Sequence, residues 1–269
     1  SPEVPDGGAG RIATGGPTAG ESLAAAVAAV ALVLRAVMAL GERRLQFASA
    51  ITHELRTPLT TFRMYSEMLA HGMVRDERKR QDYLATLSRE AERLAGLVEN
   101  VLLYARIEQN RATTRAESLT VGELLERIRP RLARRAREAQ MELVIDDGGV
   151  GEATLSVDCQ AVEQILFNLV DNSCKYAASA ADRRLHLGVS TAPGAVEMLY
   201  RDHGPGIPPA EERRVFEAFR RADRDAQSAT PGIGLGLALA RGLARELNGD
   251  LKLRRLPDAG AAFSLTLPM

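Results

Sequence analysis

At 269 residues with 45% hydrophobic side chains, the chain can bury a substantial core; length alone allows one or two domains, and two is the better reading. Lysine plus arginine and aspartate plus glutamate balance at 35 each, so no field of one sign points to nucleic acid or an anionic membrane surface. Cys159 and Cys174 have no C-x-x-C or zinc-ligand spacing, which excludes a disulfide framework and fits a reducing cytoplasm.

Residues 1–20 are rich in Gly and Pro without periodic apolar positions and read as a flexible leader without a secretory signal. In the segment 21–45, Leu23, Val27, Val30, Leu34 and Val37 recur at alternating spacings of four and three. That rhythm supercoils two helices, and the Arg35 interruption disfavours a membrane span, so a coiled-coil signalling helix is preferred to the remnant of a span. From 46 to 110 the pattern predicts a helical hairpin. Ala48, Ile51, Leu55, Leu59, Phe62 and Leu69 mark its first helix, His71-Gly72 a stop, and Leu84, Leu87, Ala91, Leu94, Val98, Val101 and Ala105 a second helix over about 77–108. One apolar stripe per helix cannot close a core alone, so a second copy should complete a four-helix bundle.

The polar stretch 109–118 ends this region, and 118–269 reads as a mixed domain. Helices are expected over 120–139, 159–178 and 233–247, and strands near 141–146, 154–158, 184–191, 195–202, 249–255 and 261–267. The fold class is therefore α+β: a helical hairpin followed by an α/β sandwich.

Within the first helix, Phe47-Ala-Ser-Ala-Ile-Thr-His53-Glu54-Leu-Arg-Thr57-Pro58-Leu59 sets a carboxylate beside a histidine and a proline five residues on. Pro58 cannot bond the Glu54 carbonyl and should bend the helix there. A neutral imidazole is a nucleophile when its second nitrogen can release a proton, and Glu54 is placed to accept it. A lone helical histidine usually has no such role, but His53-Glu-Leu-Arg-Thr-Pro-Leu59 closely resembles the H-box of the dimerisation and phosphotransfer domain of sensor histidine kinases. That resemblance implies that His53 is phosphorylated, that Glu54 is its acid/base partner, and that Thr57 positions water for dephosphorylating a partner protein. His71, His186 and His203 match no such motif and read as structural.

Further on, Gln164-Ile-Leu-Phe-Asn168-Leu-Val-Asp-Asn172-Ser-Cys-Lys175-Tyr176 puts Asn168, Asn172 and Lys175 on one helical face, a set suited to Mg²⁺ and phosphates. Polar residues at this spacing are more often a solvated face. Tyr200-Arg-Asp202-His-Gly204-Pro-Gly206 ends a strand with a carboxylate and two glycines; the carboxylate can accept from the amino group of adenine but repels the carbonyl of guanine. Gly232-Ile-Gly234-Leu-Gly236 opens a helix whose free N–H groups suit phosphate oxygens, without the strand and final glycine of a dinucleotide fingerprint. The long segment between, with Phe216, Phe219 and Arg221, reads as a lid.

In order, these pieces resemble the N, G1, F and G2 boxes of the histidine-kinase catalytic domain, a relative of the gyrase and Hsp90 ATPases. The resemblance spans about Gln46 to Leu267. It implies ATP and Mg²⁺ as cofactors, with Asn172 as metal ligand assisted by Asn168, Lys175 and Tyr176 against the nucleotide, and Asp202 reading adenine in a pocket shaped by Gly204 and Gly206. It further implies that Phe216 and Phe219 anchor the lid, that Arg221 reaches the γ-phosphate, and that Gly232, Gly234 and Gly236 cradle phosphates. Hydrolytic relatives carry a glutamate where this chain has Asn168, and an amide cannot act as general base, so transfer to His53 is expected rather than hydrolysis. The partners implied are a second copy and the receiver aspartate of a response regulator. The resemblance also implies the cytoplasmic part of an inner-membrane protein whose sensor region is missing here.

Overall fold

The computed structural model describes residues 48–49, 51–52, 54–109, 115–220, 233–255 and 259–269. The expected leader, the signalling helix and, among single residues, His53, Arg221 and Gly232 lie outside the described residues. Residues Ala50–Met269 form one compact unit.

The hairpin consists of α1 (residues 54–70) and α2 (Glu77–Glu108). Gly72, with φ of 62°, turns the chain after α1, and Asp76 caps α2 by accepting from the backbone N–H groups of Arg78 and Lys79. Helix α1 runs on through Pro58, which is buried. The two helices meet through the rings of Tyr65 and Tyr83, 4.4 Å apart. Much of the hairpin's apolar surface stays uncovered: Leu59, Phe62, Leu84, Val98 and Leu102 are all exposed.

The remainder is a two-layer sandwich. Its main sheet has the order β2-β4-β5-β7-β6, from β2 (Glu142–Asp146), β4 (Arg184–Ala192), β5 (Ala195–Arg201), β7 (Ala262–Pro268) and β6 (Asp250–Arg254). The β2–β4 pair is parallel and the other pairs are antiparallel. Alternation sends one face inward, and the register aligns Leu187 with Tyr200 and Phe263, and Val189 with Met198 and Leu265. Against this face lie α3 (Val121–Glu138), α4 (Cys159–Tyr176) and α5 (Gly236–Glu246). A capping box between Thr120 and Glu123 starts α3, whose buried Leu124, Ile128, Leu132 and Ala136 follow the helical repeat.

One strand was not expected. β1 (Glu117–Thr120) pairs with β3 (Thr154–Val157) in a separate two-stranded sheet, within sequence that reads as linker and helix start. At the other junction, Leu103 and Ile107 near the end of α2 pack against the sandwich core, and Ile107 lies against Gly242 of α5.

Candidate nucleotide site

The C-terminal turns of α4, the end of β5 and the start of α5 converge on one cavity. Asn172, Tyr176, Asp202, Gly206, Gly234 and Gly236 all line it, although they come from three separated sequence motifs.

Asp202 forms its base. The residue is only 6% exposed, and its carboxylate accepts three hydrogen bonds: from Ser173 Oγ at 2.6 Å, and from the backbone N–H groups of Gly204 at 3.0 Å and Ala261 at 2.9 Å. Such donors stabilise an ionised carboxylate away from bulk water. Gly204 is buried beneath, and a Cβ there would come within 2.7 Å of Ala177 Cβ, so only glycine lets the loop close on α4.

Asn172 faces α5, and a Cβ on Gly236 would sit 3.6 Å from its Oδ1 and 4.0 Å from that of Asn168. Asn168 is buried behind it; its Oδ1 accepts from Gln164 at 3.5 Å, while its Nδ2 has no hydrogen-bond partner. The first turn of α5 is also open. Asp76, Thr120 and Asp158 cap α2, α3 and α4 with their side chains, whereas Leu235 at the N-cap of α5 supplies none. Its leading N–H groups and positive dipole end therefore suit anionic oxygen.

Some expected residues take other positions. Lys175 does not line the cavity; its Nζ lies 2.6 Å from Asp171 Oδ2, and Arg135 Nε of α3 holds the other oxygen at 2.9 Å. Burial raises the Asp171 pKa, but the charges and hydrogen bonds of Lys175 and Arg135 outweigh it and leave the carboxyl below its usual range. Phe219 has φ of 63° and turns its ring edge-on to Tyr104 of α2 at 5.5 Å. Phe216 meets Phe263 edge-on at 6.2 Å, with the Arg241 guanidinium 4.7 Å from its centroid. His203 packs against His186, with ring centroids 5.1 Å apart.

Ser173, Arg214 and Arg220 were not singled out from the sequence, yet Ser173 anchors Asp202 and all three line the cavity. Ser173 shows no distinguishing spacing, and neither the exposed Arg214 nor the half-buried Arg220 carries a periodic signal. Beside the H-box, Glu54 is held across the hairpin by Arg93, whose Nη2 lies 3.3 Å from Glu54 Oε2, while Thr57 is exposed.

Comparison with known proteins assigns both halves. Residues 43–110 match the family model of the His Kinase A (phospho-acceptor) domain, and residues 157–269 match that of the histidine kinase-, DNA gyrase B-, and HSP90-like ATPase. Sensor histidine kinase MtrB of Mycobacterium leprae (strain TN) is 32% identical over 230 residues, which cover 85% of this chain and 40% of MtrB. The chain thus spans about two fifths of that relative. Acinetobacter baumannii histidine kinase AdeS shares the fold, with a TM-score of 0.62 at 21% identity, covering 81% of this chain and 98% of that one. Full-length ShkA in complex with AMPPNP gives 0.60 at 26% identity, covering 82% and 45% respectively. With a phosphoacceptor match ahead of an ATPase match, and a relative aligned across both, the chain belongs to the sensor histidine kinase family.

Proposed function

We propose that this chain transfers the γ-phosphoryl group of ATP to His53 and passes it on to an aspartate of a response regulator. The observation that carries the reading is the convergence of Asn172, Asp202, Gly234 and Gly236 on one cavity. Asp202 then accepts from the adenine amino group, Gly204 and Gly206 let the backbone approach the base, and Tyr176 walls the cavity. Gly234, Gly236 and the open first turn of α5 receive phosphate oxygens, a role that Gly232 and Arg221 would share.

The amide oxygens of Asn172 and Asn168 suit a hard cation, while the unpartnered Nδ2 of Asn168 is a donor that suits a water or phosphate oxygen. Asn172 and Asn168 would hold Mg²⁺ together with oxygens of the nucleotide phosphates and water. When bound, Mg²⁺ neutralises charge on the transferring phosphoryl group. Lys175, held by Asp171, contributes positive charge from outside the cavity wall.

Beside His53, Glu54 orients or accepts the imidazole proton, with its carboxylate fixed by Arg93; exposed Thr57 is accessible to position water for dephosphorylating the regulator. Asn168, being an amide, gives the site no base for hydrolysing ATP. The exposed apolar face of the hairpin supports a homodimer, closed as a four-helix bundle. No described helix is long and apolar enough to cross a membrane. We place this part of the protein in the cytoplasm, with ATP and the regulator, below a membrane-bound sensor.

The reading is tested by titrating ATP into the chain with and without Mg²⁺. Replacing Asn172 by Ala should abolish the gain in affinity that Mg²⁺ brings and leave adenosine binding intact; an undiminished Mg²⁺ effect would remove Asn172 from the metal site.

A further inference from the structure

One wall of the cavity carries two arginines that share a single carboxylate oxygen. Arg214 and Arg220 both line the cavity, whereas Glu217 does not. Yet Glu217 Oε2 lies 2.9 Å from Nε of Arg214 and 3.7 Å from Nη1 of Arg220. Backbone contacts bring the three together. The Glu217 N–H donates to the Arg214 carbonyl at 2.9 Å, and the Phe219 N–H donates to the Gly234 carbonyl at 3.0 Å. Phe219, in the left-handed region, turns the chain so that Arg220 follows against Gly234, where a Cβ would meet the Arg220 carbonyl oxygen at 2.5 Å.

A guanidinium presents a planar fork of donors that fits phosphate oxygens as well as it fits a carboxylate. A carboxylate facing both arginines neutralises part of the charge that a polyphosphate would meet. Because the Glu217 side chain is 50% exposed, its hold is weak enough to be exchanged.

We propose that Glu217 is an internal competitor of the polyphosphate: it holds Arg214 and Arg220 while the site is empty of nucleotide, and phosphate oxygens take over both guanidiniums when ATP binds. Glu217 thereby tunes how strongly the site prefers ATP to adenosine. The inference rests on the ATP-site reading and adds to it a specificity-determining side chain outside the cavity.

Calorimetric titration of the full chain with ATP and with adenosine tests it, using Glu217→Gln, the pair Arg214→Met with Arg220→Met, and the triple variant. Glu217→Gln should tighten ATP by about 2- to 5-fold, the range an exposed ion pair allows, and leave adenosine unchanged. In the background lacking both arginines the same substitution should bring no gain. Unchanged or weaker ATP binding by Glu217→Gln, equal tightening of adenosine, or a gain that persists without the arginines would each overturn the proposal. Failure of the unsubstituted chain to bind ATP would instead sink the ATP-site reading itself, and this inference with it.

Discussion

Replacing Asp202 by Asn separates what this residue does for the fold from what it does for a ligand. The carboxylate accepts from Ser173 Oγ, Gly204 N and Ala261 N. An asparagine can keep its amide oxygen toward the two backbone donors and turn its NH₂ toward Ser173, whose hydroxyl then accepts. The side chain should therefore stay in place, with all three charge-assisted bonds replaced by neutral ones. About 1 kcal/mol of lost stability follows, and a fall in Tm of roughly 2–4 °C. The adenine amino group, in contrast, loses an ionised acceptor and faces a donor. A hydrogen bond to a charged group contributes about 1.5–3 kcal/mol, so ATP should bind about 10- to 150-fold more weakly. Calorimetry with ATP and a thermal melt on the same sample measure both effects. Wild-type ATP affinity in a folded Asp202→Asn variant would refute the adenine-reading role, and loss of the folded state would show that the carboxylate is needed for structure first.

Two further outcomes follow from burial. The Cys174 thiol is pushed up to about 11 by its buried surroundings, so the native state keeps its proton where an unfolded chain has lost it. This contribution to stability is full below the ordinary thiol value and is lost as pH rises through about 11. At pH 8, iodoacetamide should label Cys174 about a hundredfold more slowly in the folded chain than in urea, as read by mass spectrometry; equal rates would contradict its burial. On the hairpin, Leu102 is 53% exposed on α2. If a second copy covers it, Leu102→Arg should convert dimer to monomer in light scattering while the circular dichroism of the sandwich is retained, and an unchanged dimer would move the interface elsewhere.

The parts of this protein legible in its sequence are those in which local periodicity and burial agree. The 3–4 rhythm of α2 and the Val121-to-Ala136 stripe of α3 define helices without help from distant residues. β1 was illegible because only Leu119 in it is buried, and the strand exists through pairing with β3, more than thirty residues away. The same division runs through the site. Asn172, Asp202 and the glycines at 234 and 236 sit within motifs and meet in space, whereas the bond from Ala261 to Asp202 spans 59 positions and left no trace. Lys175 faces its helical neighbour Asp171, a short-range competition that motif matching ignores. Arg214 and Arg220 become visible only once the segment before α5 has folded along the cavity, with the turn at Phe219 bringing Arg220 to it.

Phosphorylation of His53 by ATP is open to a single labelling experiment. The chain is incubated with γ-labelled ATP and Mg²⁺ beside a His53→Gln variant, and the label is challenged with acid and with alkali. Acid-labile, alkali-stable label that is lost in the variant is the predicted result. No label from a chain shown to bind ATP, or label that survives in the variant, would contradict transfer to His53.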